Sequence, residues 1–173
     1  MLNWANSLLE PFKEYCGEEK YPFTECATWP DKIRSGGWNS MFNWHFKDSP
    51  VYASGFAPKA PLPDINPENA AWAINDSVST LSSAHPDPQG HSKQILGKSL
   101  SLRNLIHFVG DIHQPLHGCS RYSDAHPDGN GDQGGNLFSI LHYDYNPTWN
   151  NLHFIWDHMF DLDRGFDSPL NQQ

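Results

Sequence analysis

The stretch HFVGDIHQPLH at residues 107–117 places three histidines and one aspartate in eleven positions. Phe108, Val109, Ile112 and Leu116 around them read as core. Burying polar groups among apolar ones costs roughly 2–7 kcal/mol each unless something satisfies them. On a helix, His107 and Asp111 are four residues apart and project from one face. His117 follows the break at Pro115 and can turn back toward the same space. The segment HFIWD at 153–157 repeats that spacing with His153 and Asp157. Imidazole nitrogens and carboxylate oxygens are the ligand set of hydrolytic zinc sites. Two such pairs on two helices resemble the inward-facing ligand pairs of metal-binding bundles. Asp31 in TWPDKIR and His45 in NWHFKD are two further candidates. His113 lies two residues from Asp111, faces elsewhere on the helix, and reads as a hydrogen-bonding residue rather than a ligand.

Helices must carry these pairs. The longest periodic segment runs from about His91 to Gln114, with an apolar stripe of Ile95, Leu96, Leu100, Leu102, Leu105, Ile106 and Val109, and Pro115 ends it. The segment 152–163, LHFIWDHMFDLD, reads as a last helix. Asn3 to Phe12 reads as a short helix stopping near Pro11. TWPDKIR starts another, with Thr28 as N-cap and Pro30 in its first turn. Asn66-Pro67 opens a helix bearing Ala70, Ile74, Val78 and Leu81 at helical spacing. Gly36–Pro63, 84–90 and 118–136 read as loops, and LFSILHY at 137–143 as a short strand or extended segment. His142 and His158 read as surface or packing residues, and His85, His91 and His126 as loop residues. The fold class is mainly α with long loops, in a single domain over residues 1–173.

The chain of 173 residues is long enough for one sizeable core. Its net charge of −9 argues against a plain electrostatic nucleic-acid binder. It fits a site that recruits anions through metal, since bound zinc ions would add positive charge at one point. Cys16, Cys26 and Cys119 include no C-x-x-C pair, which argues against a cysteine zinc site and leaves one disulfide or none open. No apolar run is long enough to span a membrane, and the start MLNWANSLLEPF lacks the pattern of a secretory signal. Asn75-Asp76-Ser77 is a glycosylation sequon, placed mid-helix.

The run HFVGDIHQPLH resembles the signature of the zinc-dependent single-strand nuclease and 3′-nucleotidase family known from fungi and protozoa. ATWPDKIR, WHFKDSP, GGN and NLHFIWD follow the family's order, so the resemblance covers about Thr24 to Asp157. The loop SRYSDAHPDGNGDQGGN is more similar to the protozoan branch than to the fungal one. The resemblance implies a mainly α-helical fold of the phospholipase C and single-strand nuclease type, with zinc ions clustered in a cleft. The implied chemistry is hydrolysis of single-stranded RNA and DNA to 5′-nucleotides, and dephosphorylation of 3′-mononucleotides, by a metal-bridged hydroxide. It implies that Asp31, His45 and His107 hold a first zinc and that Asp111 bridges the first and third. His117, His153 and Asp157 would hold a second. Arg34 would grip the phosphate, making Asp31, Arg34 and Asp111 the catalytic set. Phe46, Asp48 and Asn136 would bind the nucleotide. The family implies a secreted or cell-surface location and no stable protein partner. A zinc phospholipase C-like phosphodiesterase is the nearest alternative.

The third zinc site of that family uses a free N-terminal tryptophan and a nearby histidine. Here Trp4 follows MLN, and no histidine precedes His45, so only Asp111 is expected from that site. The family's C-terminal helices have no counterpart after Asp163. Two expectations stay open: a form truncated at both ends, or a shortened, catalytically impaired metal-binding relative with two zincs or none.

Overall fold

The computed structural model describes residues 2–83, 91–140 and 150–158. The loop 84–90 with His85, the end of the 137–143 segment with His142, and the last helix beyond residue 158 lie outside the described residues. The described chain is mainly helical, as expected, and divides into two compact units. The first comprises residues 1–47 and 66–113, and the second residues 48–65 and 114–173.

The first unit contains α1 (Leu2–Leu9), α2 (Pro22–Glu25), α3 (Trp29–Ser35), α4 (Ala70–Ser82) and α5 (His91–His113). A 3-10 turn over Glu10–Phe12 follows α1, with Pro11 inside it, and a longer 3-10 segment covers Asn39–His45. Thr28 occupies the N-cap of α3, but its hydroxyl donates back to the Glu25 carbonyl and caps nothing. Pro30 is buried in the first turn of α3, where its missing N–H costs no hydrogen bond. The opening of α4 is displaced from the expected Asn66-Pro67. Asn69 is the cap, its Oδ1 accepting the N–H groups of Ala71 and Trp72 at 3.0 and 3.4 Å. Asn66 makes a turn one step earlier, accepting the Glu68 N–H at 2.9 Å.

Ala5, Leu8 and Leu9 of α1, Cys26 and Leu102 of α5 form the core of this unit, with Leu81 and Ile106 packed against it. Trp44 packs between Trp72 and Phe108, with ring centroids 5.2 and 6.1 Å away. The apolar stripe read along α5 is only partly the buried one. Ile95 and Leu96 of the stripe are exposed, as is Ile112 beyond it, whereas Ser99 and Arg103 are fully buried. The reason is a partner far away in sequence. Glu18 is buried too, and its two carboxylate oxygens accept Arg103 Nε and Nη2 at 2.7 and 2.6 Å. Arg103 Nη2 also donates to the Leu9 carbonyl, and Nη1 donates to Ser99. A buried ion pair is tolerated when its geometry is bidentate and the remaining donors are satisfied. This one ties α5 to the end of α1 and to the loop beyond it.

The second unit holds the strands β1 (Ser49–Tyr52) and β2 (Cys119–Tyr122), the single turn α6 (Pro115–Gly118) and α7 (Leu152–Asp157). The strands are parallel, with Ser49 opposite Cys119 and Tyr52 opposite Tyr122. The sequence reading assigned both to loops. A parallel pair needs a long crossover and leaves no hairpin signal. Of the expected strand at 137–143, the described part makes only an isolated bridge from Ser139 to Asn151. Asn151 caps α7, accepting the Phe154 N–H at 2.8 Å. All three cysteines are free thiols. No described helix is long and apolar enough to cross a membrane.

Replacing Glu18 with alanine strands the Arg103 charge in the core. The expected loss is about 3–5 kcal/mol, or a melting-point drop on the order of 10 °C for a chain of this size. Pairing Glu18→Leu with Arg103→Met should recover most of it. A thermal melt of the single variant within a degree or two of the parent would refute this account of the core.

Candidate metal centres

Three elements of the first unit converge on one point. Asp31 comes from the first turn of α3, His45 from the last residue of the 3-10 segment, and His107 and Asp111 from successive turns of α5. His45 is 3 % exposed, and its ring stands edge-on to Phe108 and His107 at 5.1 and 4.8 Å. His45 Nδ1 is 3.0 Å from both Asp111 Oδ2 and His107 Nε2. His107 Nε2 is 3.2 Å from Asp111 Oδ2. Asp31 closes the group, its carboxylate oxygens 3.7 Å from His45 Nδ1 and 3.8 Å from His107 Nε2.

The other ring nitrogen of His107 explains which way this set faces. Nδ1 lies 2.5 Å from the Ala27 carbonyl, which can only accept, so the proton sits on Nδ1 and Nε2 turns its lone pair to the carboxylates. Burial opposes a charged His107. The Asp111 hydrogen bond and charge, helped by Ala27 and Asp31, outweigh it and hold the imidazole pKa above its ordinary value. The cluster therefore attracts a cation, and a proton is one candidate.

The second unit repeats the arrangement. His153 and Asp157 lie one turn apart on α7, and His117 comes from α6. The His117 and His153 rings stack at 4.8 Å, 19° from parallel. Their Nε2 atoms are 3.3 Å from Asp157 Oδ1 and 3.4 Å from Asp157 Oδ2. His153 Nδ1 donates to the Gly134 carbonyl at 2.8 Å, which again aims Nε2 inward. Burial works against the Asp157 carboxylate, but hydrogen bonds from His117 and Gln114 prevail and hold its pKa below the usual range.

Both sets fit a metal. Four ligand atoms about 2.1 Å from a tetrahedral zinc stand about 3.4 Å from one another. The observed separations run from 3.0 to 3.8 Å in the first set and are 3.3 and 3.4 Å in the second. In both His/Asp triads the ligand atoms lie within 4.8 Å of one another. The ligands are nitrogen and oxygen only, which suits zinc and other borderline divalent ions.

The remaining expected site residues have distinct surroundings. Arg34 is half-exposed one turn after Asp31, with Nη2 3.7 Å from the Asp31 carboxylate. Phe46 is partly buried, edge-on to Phe42 at 5.3 Å. Asp48 has a positive φ of 54°, uncommon for a residue with a Cβ. Burial pushes its carboxyl pKa up. Asn136 is exposed, and its side chain donates to the Gln133 carbonyl at 2.9 Å, within its own turn. His113, exposed, bonds the Val109 carbonyl one turn back. Sequence reasoning missed Gln114, which caps α6 through the Leu116 N–H and reaches Asp157 at 2.9 Å. Its position just before Pro115 was the available signal.

Comparison with known proteins places these sets in context. The S1/P1 nuclease family profile matches residues 4–166. Endonuclease 5 of Arabidopsis thaliana is 27% identical over 148 residues, covering 84% of this chain and 45% of that protein. Endonuclease 3 of the same plant is 29% identical over 136 residues, covering 77% of this chain and 40% of its own length. The chain thus spans less than half the length of the curated relatives it matches.

Titrating the metal-stripped chain with zinc should reveal two binding equivalents. His107→Ala should lose one and His153→Ala the other, each leaving its counterpart's isotherm unchanged. Loss of both equivalents in either variant, with the fold intact by circular dichroism, would contradict two self-contained sites.

Proposed function

The chain belongs to the S1/P1 nuclease family, and from that premise we propose that it is a zinc-dependent hydrolase of phosphate esters in single-stranded RNA, DNA and 3′-mononucleotides. The observation that carries this reading is the convergence of Asp31, His45, His107 and Asp111 within hydrogen-bonding or ion-pair range, with Arg34 next to Asp31. A zinc held there supplies a Lewis acid's positive charge to a phosphoryl oxygen and makes water acidic enough to act as a nucleophile at neutral pH.

The chain's own residues divide the rest of the work. Arg34 is solvent-accessible, and turned from Asp31 to a non-bridging phosphate oxygen its planar fork gives paired hydrogen bonds. Asp31 and Asp111 hold the cluster's negative charge, and the Ala27 carbonyl keeps His107 in its binding tautomer. Phe46 offers an aromatic face for an unpaired base. Stacking is tolerant of sequence, and a duplex cannot present an unstacked base, so the preference is for single strands. Products are 5′-nucleotides from polymers and nucleosides plus phosphate from 3′-mononucleotides.

The test is hydrolysis of heat-denatured DNA by the zinc-loaded chain, with duplex DNA as control. Activity on the denatured form should exceed that on the duplex, vanish with a chelator and return with added zinc. Turnover that survives exhaustive chelation would sink the proposal. Arg34→Ala should lower kcat/KM by about 100-fold or more while leaving the zinc content unchanged. An effect below about threefold would remove Arg34 from the phosphate site.

A further inference from the structure

The loop between β2 and α7 contains a left-handed turn. Gln133, Gly134 and Gly135 have φ values of 54, 62 and 81°. Two glycines accept this conformation readily, but Gln133 does not, so something must hold the turn. The residue just before it, Asp132, is 5 % exposed. One of its carboxylate oxygens, Oδ1, accepts the Arg121 N–H of β2 at 2.8 Å and the Gly135 N–H at 3.1 Å. The Asp132 backbone repeats the grip, its N–H donating to the Arg121 carbonyl at 2.9 Å and its carbonyl accepting the Leu137 N–H at 3.0 Å. Asp132 therefore clamps the far end of the turn to the strand. A carboxylate suits this task because a charged acceptor makes stronger bonds to several N–H groups at once than a neutral one.

The turn delivers the Gly134 carbonyl, the atom 2.8 Å from His153 Nδ1. Its fit is close. A Cβ on Gly134 would collide with the Leu116 carbonyl oxygen, and one on Gly135 would stand 3.1 Å from Leu116 Cδ1. The turn is thus pressed against α6, which carries His117, and has no room to shift on that side.

We propose that Asp132 is a positioning residue for the second metal centre: through the turn it locks, it sets the tautomer and ring plane of His153. The inference rests on the reading of His117, His153 and Asp157 as a metal site. Orienting groups of this kind contribute about 10–100-fold in metal affinity, and Asp132 acts one step further out, through a backbone carbonyl rather than directly on the ring.

Two measurements on the full chain test it. The first is a calorimetric titration of the metal-stripped protein with zinc. Asp132→Ala should weaken one of the two equivalents about 10-fold or more and leave the other, that of the first centre, unchanged. Asp132→Asn, which keeps one oxygen for the two N–H donors, should recover most of the loss. The second is the ring-nitrogen NMR spectrum of the metal-free chain, with His153→Gln to assign the signals. The parent should show His153 as the Nδ1–H tautomer, and Asp132→Ala should show a mixture. Tyr122→Phe deletes a loop hydrogen bond to the Gly129 carbonyl on the other side of Asp132 and should leave that tautomer untouched. A parent-like tautomer together with parent-like zinc affinity in Asp132→Ala would overturn the inference while leaving the metal centre standing. A parent chain that takes up no zinc would overturn the metal reading and this inference with it.

Discussion

An α-helix returns to nearly the same face after four residues, so two side chains at that spacing meet within about 5–6 Å. Both clusters are built on this constraint. His107 and Asp111 use it on α5, and His153 and Asp157 on α7, with nitrogen-to-oxygen distances of 3.2 and 3.4 Å. The helix repeat by itself sets two of the four residues in the first cluster and two of the three in the second. What remains is to bring up partners from elsewhere and to keep both rings turned inward. Each unit does the second job the same way, with a backbone carbonyl on Nδ1: Ala27 for His107 and Gly134 for His153. A carbonyl cannot donate, so the ring nitrogen facing it must, and the opposite nitrogen is left as an acceptor.

Charge makes these clusters expensive without a cation. In the first, two carboxylates and two imidazoles crowd within 4 Å, and in the second one carboxylate stands 3.3 and 3.4 Å from the two ring Nε2 atoms and accepts from Gln114. The pKa directions express the same tension. His107 holds a proton more tightly than usual in spite of burial, and Asp157 gives one up more readily. A metal ion and a proton compete for the same lone pairs, and a divalent ion satisfies several of them together. The scaffold of the first unit can bear this concentration of polar groups because its other buried charge is neutralised internally. Arg103 and Glu18 are both fully buried and paired through two hydrogen bonds, with further guanidinium donors taken by Ser99 and the Leu9 carbonyl.

Much of the architecture is legible locally. The α5 helix, its stop before Pro115 and the start of the last helix follow from periodicity and breakers. Errors arose where a remote partner overrides the local rule. Ser99 and Arg103 lie outside the apolar stripe read from the sequence and are nevertheless buried, because Glu18 arrives from 85 residues away in the chain to meet the guanidinium. Ile112 reads as core and is exposed. Thr28 has the right type for a cap but spends its hydroxyl on Glu25, and capping at α4 falls to Asn69 rather than to the Asn66-Pro67 signal. The two strands pair across a long crossover and lack any turn signature of their own.

By itself the sequence determined the chemical types of the donors, the helical spacing of two His/Asp pairs and a family signature long enough to be specific. Those are properties of neighbouring residues, carried by the helix repeat and by residue chemistry. Tertiary structure alone decided that His45 and Asp111 meet across 66 residues, that Ala27 orients His107 from 80 residues away, and that Asp132 and its left-handed turn stand behind His153. Contacts of that range depend on how whole elements pack, and no local period records them.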